Sequence, residues 1–272
     1  MEALTDTVRL IEAEAAARTD AGHRRIEGMW SIDCLYNPVG NGRIFNYKIL
    51  LAQTAALGCA YSTVTDYPVA ELEQLIGKDF LDLDKDKLDM AQWVAFLDSV
   101  YPACEQVKPA FSEAMEGPSV KKMRWRSEII LREAERLLGG SVKGKRIINA
   151  GVVGDILTTF SQAGADIVGT DFDPGIVGRK LFDRVDIHHG NQSIEMIAES
   201  DLCVVTGMTI TTGTIDNIIE CCKANNVKMI VFAETGGNLG GFYVRHGVDA
   251  YIGEVFPFYI FSGMSKINVH RA

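Results

Sequence analysis

No stretch of the chain approaches the ~20 consecutive apolar residues needed to cross a bilayer. No block of Lys or Arg supplies the basic face that attracts phosphate backbones. Membrane and nucleic acid are therefore not expected as partners. None of the six cysteines (Cys34, Cys59, Cys104, Cys203, Cys221, Cys222) stands two residues from another. That spacing excludes zinc knuckles and dithiol redox motifs, and reduced thiols are expected. On a helix the adjacent pair Cys221-Cys222 would point about 100° apart, one inward and one outward. Composition departs little from the average of globular proteins, which removes disordered, collagen-like and disulfide-scaffold classes, and no repeat of 20–50 residues is visible. The opening residues Met1 to Asp6 lack a basic segment followed by an apolar one, so a cytoplasmic location is expected.

What remains is an acidic chain of 272 residues, 47% hydrophobic and 23% charged, with a formal net charge of -9. A chain of this length buries roughly three quarters of its unfolded surface and accommodates about one or two domains. The texture changes near Gly117-Pro118. Before it, apolar residues recur at helical spacing in pieces: Leu4, Val8 and Ile11, then Met90, Val94 and Leu97. Residues 1–117 are accordingly expected to form a helical N-terminal domain, a lid or substrate domain. Trp30 to Gly42, with Asn-Pro and Asn-Gly steps, is read within it as an aromatic loop. Ser119 is the expected N-cap of a helix carrying Met123, Ile130, Ala134 and Leu137 and closed by Gly139-Gly140. Trp125, between Arg124 and Arg126, is expected to pack between the domains.

From Lys145 onward short apolar runs alternate with helical patterns, which predicts βαβ units. Strands are expected at 146–150, 166–170, 185–188, 202–206 and 228–232, with two more around Tyr251-Ile252 and Ile267-Val269. Runs apolar on both faces belong in the middle of three layers. The fold class expected for residues 118–272 is α/β, a Rossmann-like doubly wound, mostly parallel sheet.

In such sheets ligands bind beyond the C-terminal strand ends. The first end reads Ala150-Gly151-Val152-Val153-Gly154-Asp155, where Gly151, Val153 and Gly154 offer a close backbone approach and a helix N-terminus. Its G-x-x-G spacing lacks the dinucleotide fingerprint, and Asp155 would repel a pyrophosphate. Asp171, about 20 residues after the glycine turn, is the expected acceptor for ribose hydroxyls, with Phe172 beside it and Asp173 able to cap the next helix. Two acids at this floor disfavour diphosphates and favour a cationic or neutral nucleoside, and S-adenosylmethionine fits better than NAD. Asn191, after His188-His189, has the groups to read an adenine edge. Two adjacent strand histidines face opposite sides, so no metal site is expected there. Thr206, Gly207 and Met208 open a tract of hydroxyls and glycines suited to a small polar group. Glu234 could hold an ammonium or act as a base; a solvated turn carboxylate is the plain alternative.

Two resemblances follow from these residues. Gly144 to about Phe261, with Gly151-Val152-Val153-Gly154, Asp201 to Gly207, Thr214-Ile215 and His246-Gly247-Val248-Asp249, resembles the Rossmann-like domain of a heavy-metal-chelation family, a name that implies little chemistry. The stretch Gly164 to Pro174, after a strand-glycine turn and an N-terminal domain, resembles nicotianamine-synthase-like and other class I S-adenosylmethionine enzymes. Methyltransferase-like azetidine-2-carboxylate synthases share the layout. That second resemblance implies a small-molecule transferase or cyclising enzyme that consumes S-adenosylmethionine. Attack at the γ-carbon would release methylthioadenosine, through azetidine-2-carboxylate formation or aminocarboxypropyl transfer; methyl transfer is the alternative. Displacement of this kind depends on positioning more than on acid–base power. Aromatic faces hold a sulfonium, and Trp30, Tyr36, Phe45, Tyr47 and Tyr61 are available, with Asn37 and Asn46 as polar companions. Tyr36, Asn37 and Glu234 are the candidate catalytic residues. A nicotinamide-dependent oxidoreductase and a non-catalytic metal or metallophore binder are the competing classes. The acceptor, and whether chains pair as a homodimer, are open at this point.

Overall fold

Thr5 accepts a hydrogen bond from the Val8 N–H and starts helix α1, Asp6–Arg18, whose buried stripe includes Val8, Ile11 and Ala15. The computed structural model describes residues 5–37, 45–63, 66–104, 107–181 and 184–272; Leu4 lies outside them. A short α2, Ala21–Arg24, leads into three strands: β1 Gly28–Tyr36, β2 Phe45–Gln53 and β3 Leu57–Ser62. They form an antiparallel sheet of order β1-β2-β3. This corrects two expectations, that residues 1–117 are helical and that Trp30 onward is a loop. Ile32, Cys34 and Tyr36 alternate inward along β1 and meet Ile49 and Tyr47 of β2 in one hydrophobic cluster. The strand covers this stretch as far as Tyr36; residues 38–42, which hold the rest of the expected loop, lie outside the described residues. Helix α3, Val69–Glu73, and helix α4, Met90–Cys104, complete this part. Helix α4 is buried almost all round, because it lies between the small sheet and the helices and strands that follow.

The next strand, β4 Phe111–Glu116, leaves the small sheet and pairs antiparallel with the last strand of the chain. Helix α5, Ser119–Leu137, starts at Ser119 itself, with Pro118 in the cap position. The remaining elements alternate: β5 Arg146–Ala150, α6 Gly154–Gln162, β6 Asp166–Asp171, β7 Lys180–Leu181, β8 Val185–His189, α7 Ser193–Ala198, β9 Leu202–Thr206, α8 Met208–Thr211, α9 Ile215–Asn225, β10 Lys228–Ala233, α10 Gly240–Arg245, β11 Ala250–Val255 and β12 Met264–Arg271. They build a nine-stranded sheet of order β4-β12-β11-β10-β9-β5-β6-β8-β7, parallel from β11 to β8 and antiparallel at its edges.

Alternate residues of the central strands go to opposite faces. Ile148, Cys203, Val205, Met229 and Val231 pack with α1, α4, α9 and α10, whereas Ile147, Leu202, Val204, Ile230 and Phe232 pack with α5 and α6. The chain is therefore a mixed α/β protein with a large, mostly parallel sheet between helices. A third cluster seats Ile49, Leu51, Cys59 and Tyr61 of the small sheet on Phe258 and Tyr259, in the loop between β11 and β12. This cluster roofs the C-terminal strand ends. Among the described residues, no helix is long and apolar enough to cross a membrane.

Candidate functional site

Strand order reverses between β5 and β9, the place where sheets of this kind leave a crevice beyond the strand ends. Gly151 follows β5 with φ +80°, and a Cβ there would lie 2.3 Å from Thr206 Oγ1 at the end of β9, so only glycine fits. The turn is held from below. Asn149, fully buried, accepts from the Val153 N–H at 2.9 Å and donates to the Val204 carbonyl at 3.1 Å. Gly154 begins α6 with open space where a side chain would stand.

Asp171 ends β6. Its Oδ2 accepts from the Val152 N–H at 2.8 Å and its Oδ1 from the Asp173 N–H at 2.9 Å. Each oxygen keeps further acceptor capacity, so the turn fixes the carboxylate without saturating it. Asp173 in turn accepts from the Gly175 N–H at 2.7 Å. Phe172 is 56% exposed and stands edge-on to the His189 ring, with centroids 5.4 Å apart. Asn191 is exposed, and its N–H donates to His189 Nδ1 at 3.2 Å. Asp171, Phe172 and Asn191 therefore share one rim.

At the end of β9, Gly207 donates its N–H to the Phe232 carbonyl at 2.9 Å, and a Cβ on it would meet the Thr235 carbonyl oxygen at 2.3 Å. Met208 packs into the aromatic roof.

Glu234, at the end of β10, is not a solvated turn carboxylate. Its Oε1 lies 2.7 Å from Arg126 Nη1, and its Oε2 accepts from Tyr61 OH at 2.6 Å. Glu254 of β11, with no exposed side-chain surface, reaches the same Arg126 nitrogen at 3.4 Å and accepts from the Tyr259 N–H at 2.8 Å. The Arg126 guanidinium lies 3.8 Å from the Tyr259 ring centroid and 4.9 Å from that of Phe232. Tyr259 meets Tyr36 edge-on at 5.9 Å, and Tyr61 stacks on Phe258. Burial and the neighbouring Glu234 push the Glu254 carboxyl up to about 7. Burial works against the Arg126 charge, but Glu234, Tyr259, Glu254 and Asp155 outweigh it and hold the guanidinium firmly protonated. Burial, reinforced by Glu234, raises the Tyr61 hydroxyl well above its ordinary range.

Four buried polar atoms around this crevice lack a hydrogen-bond partner: Tyr36 OH, Arg126 Nε, Asp155 Oδ2 and Thr206 Oγ1. An unmet buried polar atom costs about 1–3 kcal/mol, so four in one neighbourhood make this a candidate binding site.

The roof is fastened to the floor. The Tyr61 N–H donates to Thr235 Oγ1 at 2.9 Å, and the Gly236 N–H to the Cys59 carbonyl at 3.0 Å. Buried Asp98 of α4 accepts from the Cys59 N–H at 2.8 Å and the Asn238 N–H at 2.7 Å. Burial pushes its carboxyl up to about 7, against both of these bonds.

Of the expected site residues, the structure gathers Gly151, Val153, Gly154, Asp171 and Thr206 at the floor, with Gly207, Met208, Glu234 and Tyr36 alongside. Asn37 follows β1 and is exposed, apart from the buried aromatic face of Tyr36. Arg126 and Glu254 were missed. Each leaves a signal: Arg126 falls on the apolar stripe of α5 between Met123 and Ile130, and Glu254 interrupts the apolar run Ala250 to Gly253. Among the described residues, no three His, Cys, Asp or Glu side chains are grouped to hold a metal ion.

Residues 137–253 match the family model DUF364, described as "Putative heavy-metal chelation". No curated protein matches the chain. Two solved structures of DUF364 proteins of unknown function align along nearly the whole length. One is from Desulfitobacterium hafniense DCB-2, with 12% identity, TM-score 0.59 and 98% of each chain covered. The other is from Pyrococcus horikoshii, with 14% identity, TM-score 0.55, and 98% of this chain and 99% of that one covered. The resemblance to S-adenosylmethionine enzymes finds no support in these matches. The chain thus carries a DUF364 region over residues 137–253, within a fold that it shares at full length with two DUF364 proteins.

Proposed function

We propose that this protein binds S-adenosylmethionine in the crevice over the β5 and β9 ends and consumes it by displacement at the sulfonium, with attack at the γ-carbon favoured over methyl transfer. The strand order β8-β6-β5-β9-β10-β11 supports reading the sheet as Rossmann-like, with residues 118–272 as floor and residues 1–117 as cover. The observation that carries the reading is the combination, in one crevice, of a fixed but unsaturated ribose-type acceptor with buried unpartnered polar atoms and an excess of acid. Asp171 is oriented by the Val152 and Asp173 N–H groups, and Phe172 and Asn191 lie beside it where a purine would rest. Asp155 and Glu234 face the crevice, and Arg126, the cation between them, is already paired. A diphosphate would meet this acid directly, which counts against NAD. A sulfonium is favoured by the same charge and by the rings of Tyr36 and Tyr259.

The chain's own residues would bind, orient and exclude water; Glu234 would hold its position through Arg126 and Tyr61. Calorimetric titration with S-adenosylmethionine, with NADH fluorescence as the control, tests the site. Micromolar binding of the first and none of the second is expected; the reverse result assigns a nicotinamide enzyme. Mass spectrometry after incubation with S-adenosylmethionine alone then identifies the bond broken. Methylthioadenosine supports γ-carbon chemistry, and adenosylhomocysteine with an added acceptor supports methyl transfer.

The family description favours a second reading, a metal or metallophore binder. Equilibrium dialysis with nickel, copper and zinc tests it, and binding of the bare ions would support it over the first.

A further inference from the structure

Resting on that reading, we infer that the buried cluster of Arg126, Asp155, Glu234 and Glu254 is a receptor for a zwitterionic α-amino-acid end, so that the substrate is recognised by its amino-acid arm as well as by its nucleoside. The argument begins with what each group still lacks. Arg126 is 3% exposed, and its Nη1 faces Glu234 at 2.7 Å and Glu254 at 3.4 Å, yet its Nε–H is buried and unpartnered. That is an unmet donor, and it calls for an anionic acceptor. Asp155 has a buried, unpartnered Oδ2, an unmet acceptor that calls for a donor. Tyr36 OH and Thr206 Oγ1, also buried and unpartnered, can meet either kind.

A bare cation such as a polyamine would satisfy Asp155 and leave the Arg126 Nε–H stranded. A bare carboxylate would satisfy Arg126 and be repelled by Asp155. An α-amino acid carries both complements within a few ångströms and meets both at once.

The charge count agrees. The groups facing this space are the carboxylates of Asp155 on α6, Glu234 on β10 and Glu254 on β11, the Arg126 guanidinium on α5, and the hydroxyls of Tyr61 and Tyr259. Lys122, one turn before Arg126, is close enough for Glu254 to act on its ammonium and donates to the Phe261 and Gly263 carbonyls. Three acids therefore stand against two cations; the zwitterionic end is neutral as a whole and leaves that count unchanged, and the sulfonium supplies the positive charge that offsets the remaining acid. The geometry also fixes direction. Asp171 and Asp155 lie on either side of the Gly151–Gly154 turn, with Asp171 bonded to the Val152 N–H and Asp155 in the first turn of α6. A ligand whose ribose meets Asp171 extends its 5′ substituent across the turn toward Asp155 and Arg126.

A ligand series separates the arm from the nucleoside. S-adenosylmethionine carries the whole arm and the sulfonium, decarboxylated S-adenosylmethionine lacks only the carboxylate, and methylthioadenosine lacks both arm charges and the sulfonium. S-adenosylhomocysteine, which keeps the arm without the sulfonium and is expected to bind at least 10-fold tighter than methylthioadenosine, separates the two contributions. Calorimetry on the full chain is expected to give S-adenosylmethionine at least 10-fold tighter than either truncated ligand. In Asp155→Asn the affinity for methylthioadenosine is expected to stay within 2-fold while that for S-adenosylmethionine falls at least 10-fold. Equal affinity for S-adenosylmethionine and methylthioadenosine, or an Asp155→Asn loss shared by both, would overturn the receptor while the nucleoside site stood. No binding of any of the four would overturn the nucleoside reading, and this inference with it. Because the ligand series runs on the unaltered protein, a failure of the variant to fold does not remove the test.

Discussion

Two buried acid sites lie on either side of the small sheet and use their carboxylates in opposite ways. Asp98, between α4 and the turn after β10, has both oxygens occupied by backbone N–H groups, from Cys59 and Asn238. Around it, Asn238 Nδ2 donates to the Leu57 and Asp98 carbonyls. It joins pieces of chain and, at 1% exposure, has no open side for a ligand. The second site is as deeply buried at Arg126 and Glu254 but incompletely satisfied, with an orphaned guanidinium nitrogen, an orphaned carboxylate oxygen and two orphaned hydroxyls. Replacing a buried ionic cluster by apolar groups often stabilises a fold, so such a cluster contributes little to stability. An enclosed acid whose oxygens both serve the backbone is a fastening; acids beside orphaned polar atoms at strand ends form a candidate site.

Four substitutions sharpen or break that contrast. The largest expected effect is at the fastening. Asp98→Ala strands two buried N–H donors and should cost roughly 3–5 kcal/mol by urea unfolding; a loss below about 1 kcal/mol would mean that Asp98 holds nothing. Next comes the floor. Asp171→Asn should weaken S-adenosylmethionine and methylthioadenosine alike by roughly 10–100-fold, the equivalent of one charged hydrogen bond. A change confined to one of them would place the ribose elsewhere.

The third uses pH. The Asp98 carboxyl, ordinarily near 3.8, is raised to about 7 in the fold. Between these values the native state holds a proton that the unfolded chain has released, so this group's contribution to stability falls as pH rises through the interval. Asp98→Asn removes that dependence. The stability of the wild type relative to the variant should therefore decline from pH 4.5 to 7.5, with a slope of at most about 1.4 kcal/mol per pH unit. Parallel stability curves would show that Asp98 is not protonated on folding. Glu254 titrates with the same sign in both proteins, while His270, lowered by burial, works the other way in both. The smallest effect on stability is at the roof: Tyr36→Phe deletes an unpartnered hydroxyl and should leave stability unchanged or raise it by up to about 1 kcal/mol. Turnover should nonetheless fall roughly 10-fold if the hydroxyl meets the substrate. Unchanged turnover would make Tyr36 a packing residue.

How far the sequence disclosed this contrast varies with the physics of each element. Strands β5, β9 and β10 were legible because both their faces are buried, and their apolar runs are continuous. Strands β1 to β3 were not. Asp33 and Leu35 on one face of β1 are exposed and so is Trp30 on the other, its alternation is weak, and turn-forming residues close behind it outweighed the strand signal. The glycine turn and Asp171 could be placed from their spacing after a strand, but their mutual hydrogen bond could not. Glu234 was visible as a strand-end acid; its partners Arg126 and Glu254 come from an element 108 residues before it in the chain and from a neighbouring strand, a meeting that only the fold arranges. Even so, a charged residue in phase with an apolar stripe, or inside an apolar strand, is a sign that can be read locally.

The most direct measurement is a crystal structure of the protein with S-adenosylmethionine or methylthioadenosine bound. The account predicts ribose hydroxyls within hydrogen-bond distance of Asp171, the purine beside Phe172 and Asn191, and the methionyl arm, when present, between Asp155 and Arg126. A nucleoside seated away from the β5 and β9 ends, or a crevice that admits none at saturating concentration, would contradict it.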